Sequence, residues 1–232
     1  MSTALRIMVF LCAALALAGC GRGASYRYKL ALTLDTPDGV KTASNVVEIN
    51  AFDVTIPARG VGHKTTGQAL YVDLGTGRRP LIALLTRIRR ATDPWPTFRG
   101  WGEDAPGEAL ADNCSGAKKP EDLLDEVKAT GKCGRPVMIT PSDLPDLVTF
   151  ADTNDPKSVM LVDPDNLNAT LGPGVSWRSM TLEATDEPLS KGIDEHLPWV
   201  RAYDPNIEIR GVTPFDPLKN YINRRDFVRR SS

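Results

Sequence analysis

The sequence predicts an α+β fold: one antiparallel, β-rich domain with a few short helices, mainly in its second half. Period-two alternation over residues 26–35 and 176–185 marks half-buried strands. Turn signals at Thr36-Pro37-Asp38-Gly39 and Gly75-Thr76-Gly77 sit at hairpin spacing between apolar runs. Helix signals are short, the clearest running from Pro120 to Gly131. With 25% charged and 41% hydrophobic residues in 232, the chain has the composition of a folded domain, not a disordered stalk.

The first element is an export signal. Arg6 and the initiator amine supply a positive start, and Ile7 to Ala18 form an uncharged apolar run followed by small residues. Twelve apolar residues fall short of the roughly 20 that a bilayer-spanning helix needs. The run ends in Leu17-Ala18-Gly19-Cys20, which resembles the lipobox of bacterial lipoproteins. That resemblance implies cleavage after residue 19 and diacylation of the Cys20 thiol with fatty acids such as palmitate. It also implies a lipid-anchored protein of the cell envelope that faces the periplasm. Gly21, where many inner-membrane lipoproteins carry Asp, favours the outer membrane under the same resemblance. Two or three acyl chains exceed the single chain that binds membranes only reversibly.

Removal of residues 1–19 leaves 213 residues, with 27 basic against 29 acidic side chains. Such a balance gives no footprint for nucleic acid. Of the four cysteines, Cys12 leaves with the signal and Cys20 takes lipid, so Cys114 and Cys133 remain in an oxidising compartment. A disulfide is the favoured state. Two free thiols and half a metal site are the alternatives, the last poorly supported because neither Cys has a second ligand at metal-binding spacing.

Residues 20–25 read as a short tether and 26–232 as one domain. In the first strand Tyr26, Tyr28, Leu30, Leu32 and Leu34 share one face. A second strand runs from about Asn45 to Ile56, and Pro57 ends it. Residues 59–67 read as a polar, Gly-rich loop, and 68–74 as a third strand. For Leu81-Ile82-Ala83-Leu84-Leu85 the period does not separate strand from buried helix; hairpin spacing favours a strand at its start. Residues 26–90 thus read as an antiparallel meander.

Residues 93–135 form a loop and helix insertion. The loop, 93–107, holds three prolines, three glycines, Trp95, Phe98 and Trp101. Those aromatics are the candidate interaction surface, for an envelope protein or a glycan; folding back over the sheet as a plug is the alternative. In the helix, Pro120, Glu121 and Asp122 suit the N-terminus, Leu123, Leu124 and Val127 form the apolar stripe, and Gly131 stops it. A Cys114–Cys133 bridge would clamp loop against helix. Residues 136–139 and 147–150 are short strands. Asp155-Pro156 and Asp163-Pro164 start helical turns, the second stopping near Gly172. Another helical turn spans 192–197. The C-terminal tail, with Lys219, Arg224, Arg225, Arg229 and Arg230, reads as a solvated end, with contact to anionic lipid headgroups as the alternative.

Several stretches resemble a group of proteobacterial exported proteins to which no activity is assigned. They are Tyr26-Arg27-Tyr28-Lys29-Leu30, Thr36-Pro37-Asp38-Gly39, Val148-Thr149-Phe150, Asp155-Pro156-Lys157-Ser158-Val159, Val162-Asp163-Pro164 and Gly192-Ile193 with Leu197-Pro198-Trp199. The resemblance touches both ends of the mature chain and implies one intact domain.

No catalytic, cofactor or metal-ligand signature emerges. His63 lies in Gly60-Val61-Gly62-His63-Lys64-Thr65-Thr66-Gly67, which lacks the spacing of a phosphate loop and reads as surface. His196 precedes Pro198 in a helical turn and reads as a local C-terminal cap. Gly174-Val175-Ser176-Trp177-Arg178 has Arg where a nucleophile elbow needs Gly. The acids and amides of residues 152–168 miss calcium-loop spacing and are explained by capping. The expected function is a structural or protein-interaction role at the membrane, without catalysis. The alternative is a periplasmic enzyme or small-ligand-binding protein.

Overall fold

The computed structural model describes residues 23–54, 60–86, 105–114, 123–201, 208–210 and 221–230. Its first half holds strands β1 (Gly23–Thr36), β2 (Gly39–Val54), β3 (Gly60–Gln68), β4 (Leu70–Val72) and β5 (Leu81–Ala83). Helices α1 (Ala105–Cys114) and α2 (Leu123–Thr130) follow. Next come β6 (Val137–Met138), β7 (Leu147–Phe150), β8 (Val159–Val162), α3 (Leu167–Leu171) and β9 (Ser176–Ala184). The C-terminal part holds α4 (Ile193–His196), β10 (Glu208–Arg210), β11 (Tyr221–Asn223), α5 (Arg224–Phe227) and β12 (Val228–Arg229). Three-residue 3-10 turns at Pro141–Asp143 and Pro156–Ser158 and a four-residue one at Pro198–Arg201 complete the chain. The protein is β-rich and antiparallel, with short helices.

A six-stranded sheet runs β12-β3-β2-β1-β9-β6, and a four-stranded sheet runs β4-β5-β7-β8. Strands β10 and β11 pair separately. The long β1–β2 hairpin organises the first sheet, registered from Gly23 opposite Phe52 to Thr36 opposite Gly39. Its alternation works as the sequence predicts. Tyr26, Tyr28, Leu30, Leu32 and Leu34 are all buried and join Val47, Ile49 and Ala51 of β2 on the inner face. Arg27 and Lys29, facing outward, pair instead with Glu48 and Glu187.

The inner face packs on Leu70, Val72, Leu81, Ala83, Leu147 and Val162 of the second sheet, as two sheets of a sandwich do. The opposite face of that second sheet is covered too. Ile82, Val148, Phe150 and Val159 meet Ile193, Leu197, Val200 and Phe227 from the C-terminal segments. Burial on both faces explains why Leu81–Leu85 and Leu147–Phe150 read as unbroken apolar runs without a usable period.

Gly67 is where the chain passes from one sheet to the other. Strand β3 pairs with β2 only as far as Thr66, opposite Glu48, and four residues later, at Leu70, β4 begins in the second sheet. A Cβ on Gly67 would lie 3.2 Å from Val47 Cγ2, so a residue without a side chain fits this corner. Beyond the corner, Asn45 Nδ2 donates to the Gln68 carbonyl and the Val46 amide donates to Ser190 Oγ. These side chains satisfy strand groups that β3 no longer reaches.

Several expectations require correction. Residues 60–68 are a strand and not a loop, so His63 sits on β3 opposite Ala51. Cross-strand pairing with β2 overrides the poor strand propensity of its glycines. The meander of residues 26–90 is divided between two sheets instead of forming one. Helix α1 occupies the end of the stretch expected to be loop, and β8 was not anticipated. Helix α3 starts at Leu167 rather than beside Pro164, because the Asp163 carboxylate accepts from the Asp165 amide in a separate turn. Among the described C-terminal residues the expected solvated end is corrected: Asp226, Phe227 and Val228 are buried, and β12 pairs with Gln68 and Gly67.

Candidate functional site

Cys20 and the expected export signal lie outside the described residues, as do Trp95, Phe98 and Trp101. The first described residue, Gly23, already belongs to β1. The strand thus begins three residues before Tyr26, and only Gly21 and Arg22 separate Cys20 from it. At this end of the sheet Gly23 lies opposite Phe52, and Phe52 lies opposite Gly62 of β3. Phe52 is 43% exposed, one of three large hydrophobics that are openly exposed among the described residues. A Cβ on Gly62 would come within 3.0 Å of Phe52 Cε2, so the ring leans over a bare glycine backbone. Residues 23–25 and 50–52 line a shallow groove of about 410 Å³ here.

Cys114 and Cys133 form a disulfide with Cα atoms 5.6 Å apart. The bond ties the last residue of α1 to the turn after α2, so it joins two helices; the expected clamp of loop against helix is corrected accordingly. Leu110 of α1 and Leu124 and Val127 of α2 are buried in the main core. Tyr26 links this unit to the sheet, since its hydroxyl donates to the Gly107 carbonyl at 3.2 Å. Thr130 Oγ1 donates to the Glu126 carbonyl within α2. Met138, the most exposed large hydrophobic among the described residues at 67%, lies just beyond on the edge strand β6.

The two histidines are not brought together. His63 is exposed on β3, and its position opposite Ala51 places it near the Phe52 end. His196 is exposed at the end of α4 and stacks on Tyr71, with ring centroids 4.0 Å apart and planes 6° from parallel. Burial, and then the nearby charge of Asp73, raises the Tyr71 phenol above its usual range. Among the described residues, no three His, Cys, Asp or Glu side chains are grouped to hold a metal ion.

At the far end of the β1–β2 hairpin, Asp38, Thr76, Arg78, Arg79 and Thr170 border an open polar groove of about 500 Å³. Arg78 is committed to Asp38 through Nε at 3.2 Å, and Arg79 Nη1 lies 3.7 Å from Met160 Sδ. The groove brings cations to an open surface, with neither a His nor a Cys in its lining.

No family model, curated protein or solved structure matches this chain. Its own residues carry the functional assignment.

Three features of these surfaces escape sequence reasoning. The exposed Phe52 is an apolar residue on the face that Glu48 and Asn50 make polar, and its exposure beside Gly23 and Gly62 depends on strands distant in sequence. The stack of Tyr71 on His196 joins positions 125 apart in sequence, with no local signal. Asp226, set among arginines in the sequence, is buried and accepts from Thr86 Oγ1 at 2.8 Å. Its neighbours Phe227 and Val228 hinted at that burial. Among the described residues, no helix is long and apolar enough to cross a membrane.

Proposed function

We propose that the protein is a lipid-anchored bacterial envelope lipoprotein, acylated on Cys20 and facing the periplasm, with the outer membrane favoured. It acts as a structural or protein-interaction module without chemistry of its own. The observation that carries this reading is Leu17-Ala18-Gly19-Cys20 at the end of a short, uncharged apolar run behind Arg6. The Cys114–Cys133 disulfide supports it, because such bonds persist in the oxidising compartments that export reaches. Trp95, Phe98 and Trp101 are the partner-facing segment in this proposal, for an envelope protein or a glycan.

Expression of the full chain in a bacterial host tests the anchor. The N-terminal peptide of the membrane fraction should carry a diacylglyceryl mass on Cys20, and Cys20→Ala should leave the chain unprocessed and unacylated. A mature chain with a free Cys20 thiol, recovered from the soluble periplasm, would refute the proposal. Crosslinking in cells tests the partner role. The intact chain should capture a specific partner that a folded variant lacking residues 95–101 does not.

A further inference from the structure

We propose that the Phe52 end of the six-stranded sheet is the membrane-contacting surface of this protein, with the Phe52 ring seated in the lipid interface. The inference rests on the Cys20 anchor of the preceding section and adds to it an orientation and a contact residue.

Chain length imposes the first constraint. Gly23 is three residues after Cys20 and is already locked into the β1–β2 ladder opposite Phe52. Three residues span at most about 11 Å when fully extended. A further ~5 Å crosses the ladder from Gly23 to Phe52. An acyl chain on Cys20 therefore holds Phe52 within roughly 16 Å of the lipid attachment point. No slack remains for the sheet to turn another end towards the bilayer. The other end of β2, at Val40, is 12 residues away and lies about 40 Å up the strand.

The surface chemistry at this end supplies the second constraint. Outward-facing positions of the sheet are polar and paired next to it: Asn50 donates to Glu48, and Glu48 binds Arg27. At the last rungs the same face turns apolar and bare, with Phe52 between Gly23 and Gly62. Gly62 removes the side chain that would otherwise crowd the ring, since a Cβ there would come within 3.0 Å of Phe52 Cε2, and Gly23 on the other side carries none. A single exposed hydrophobic elsewhere needs no explanation. Here it crowns the one end that the anchor presses to the membrane, where Phe, like Trp and Leu, serves on surfaces that enter the boundary between headgroups and acyl chains.

The test uses the lipidated full-length protein in phospholipid vesicles. Acylation blocks Cys20 and the disulfide occupies Cys114 and Cys133, so Phe52→Cys introduces the one reactive thiol of the mature chain. Val40→Cys serves as the distal control, at a position equally exposed, 48% against 43%. Each variant is labelled with an environment-sensitive fluorophore. Quenching is then measured with spin-labelled phospholipid in the bilayer and with iodide in the water. The expected result is several-fold stronger lipid quenching at position 52 than at 40, and the reverse order with iodide. In a separate arm, Phe52→Ser should leave the melting curve near wild type while weakening protection of the β1–β2 amides near Gly23 from exchange in vesicles. Mass spectrometry of the N-terminal peptide separates the two ways of failing. A chain without lipid on Cys20 overturns both anchor and orientation. A lipidated chain in which positions 52 and 40 are quenched alike overturns the orientation alone.

Discussion

Breaking the Cys114–Cys133 bond should destabilise the domain by about 3 kcal/mol, a figure that follows from the length of the loop it closes. The cysteines are 19 apart in sequence. On the chain-entropy model, opening a loop of this size returns roughly 11 cal/mol/K to the unfolded chain, or about 3 kcal/mol at room temperature. For a domain of 150–250 residues each kcal/mol moves Tm by about 2–4 °C, so the expected fall is roughly 6–12 °C. Two routes to the open state should agree: reduction of the wild-type protein, and the double variant C114S/C133S. Both cysteines are partly buried against the main core. Serine there adds a small polar cost that the reduced wild type lacks, so the variant should melt slightly lower. Thermal and urea unfolding, followed by circular dichroism, provide the readout. Intact mass before and after reduction must first show a gain of two hydrogens. If that gain occurs and Tm moves by less than about 2 °C, the α1–α2 unit opens independently of the sheets and the reasoning fails.

Other consequences follow from single side chains. Phe227 is fully buried between Phe150 and Trp199, with its ring edge-on to Trp199 at 5.1 Å, so Phe227→Ala should cost about 3–5 kcal/mol in urea unfolding. A cost below about 1 kcal/mol would show that the C-terminal segment is not part of the cooperative core. Gly174 has φ +79°, and a Cβ there would lie 2.7 Å from Pro37 Cγ in the β1–β2 turn. Gly174→Ala should therefore destabilise by about 1–3 kcal/mol, against little effect for Gly134→Ala, where nothing stands nearby. Thr86→Val removes the hydroxyl that donates to buried Asp226 and should cost about 1.5–3 kcal/mol. Thr86→Ser, which keeps the donor, should recover most of it. The Arg201 guanidinium donates to Asp194 at 2.8 Å and holds that carboxyl below its usual range. A lowered folded-state value stabilises above the unfolded value, and that contribution is lost as pH falls through the folded one. Arg201→Gln should raise the Asp194 midpoint in carboxyl NMR titration, and its small Tm deficit should be present at neutral pH and vanish in acid. A midpoint unmoved by the substitution would reject the pairing.

The sequence alone determined the local geometry wherever one face of an element is wet. The alternation from Tyr26 to Leu34, the turn at Thr36–Gly39, the strand at Ser176–Ala184 and the apolar stripe of α2 are all legible because water on one side imposes a period. Capping at Asp155-Pro156 was legible for a similarly local reason: the carboxylate binds the Lys157 amide two residues on. The cysteine count, read with the expected export signal, selected the Cys114–Cys133 pair. Tertiary structure decided the rest. The runs at Leu81–Leu85 and Val159–Val162 have no readable period because their sheet is buried on both faces. Residues 60–68 resemble a loop until β2 supplies their hydrogen bonds. The C-terminal residues are basic in sequence, yet Phe227 and Asp226 take them into the core through Phe150, Trp199 and Thr86. These contacts join positions 28 to 140 residues apart, and no propensity or spacing within a short window can encode a partner at that distance. The same holds for Phe52, whose ring lies over Gly62, a residue carried by another strand.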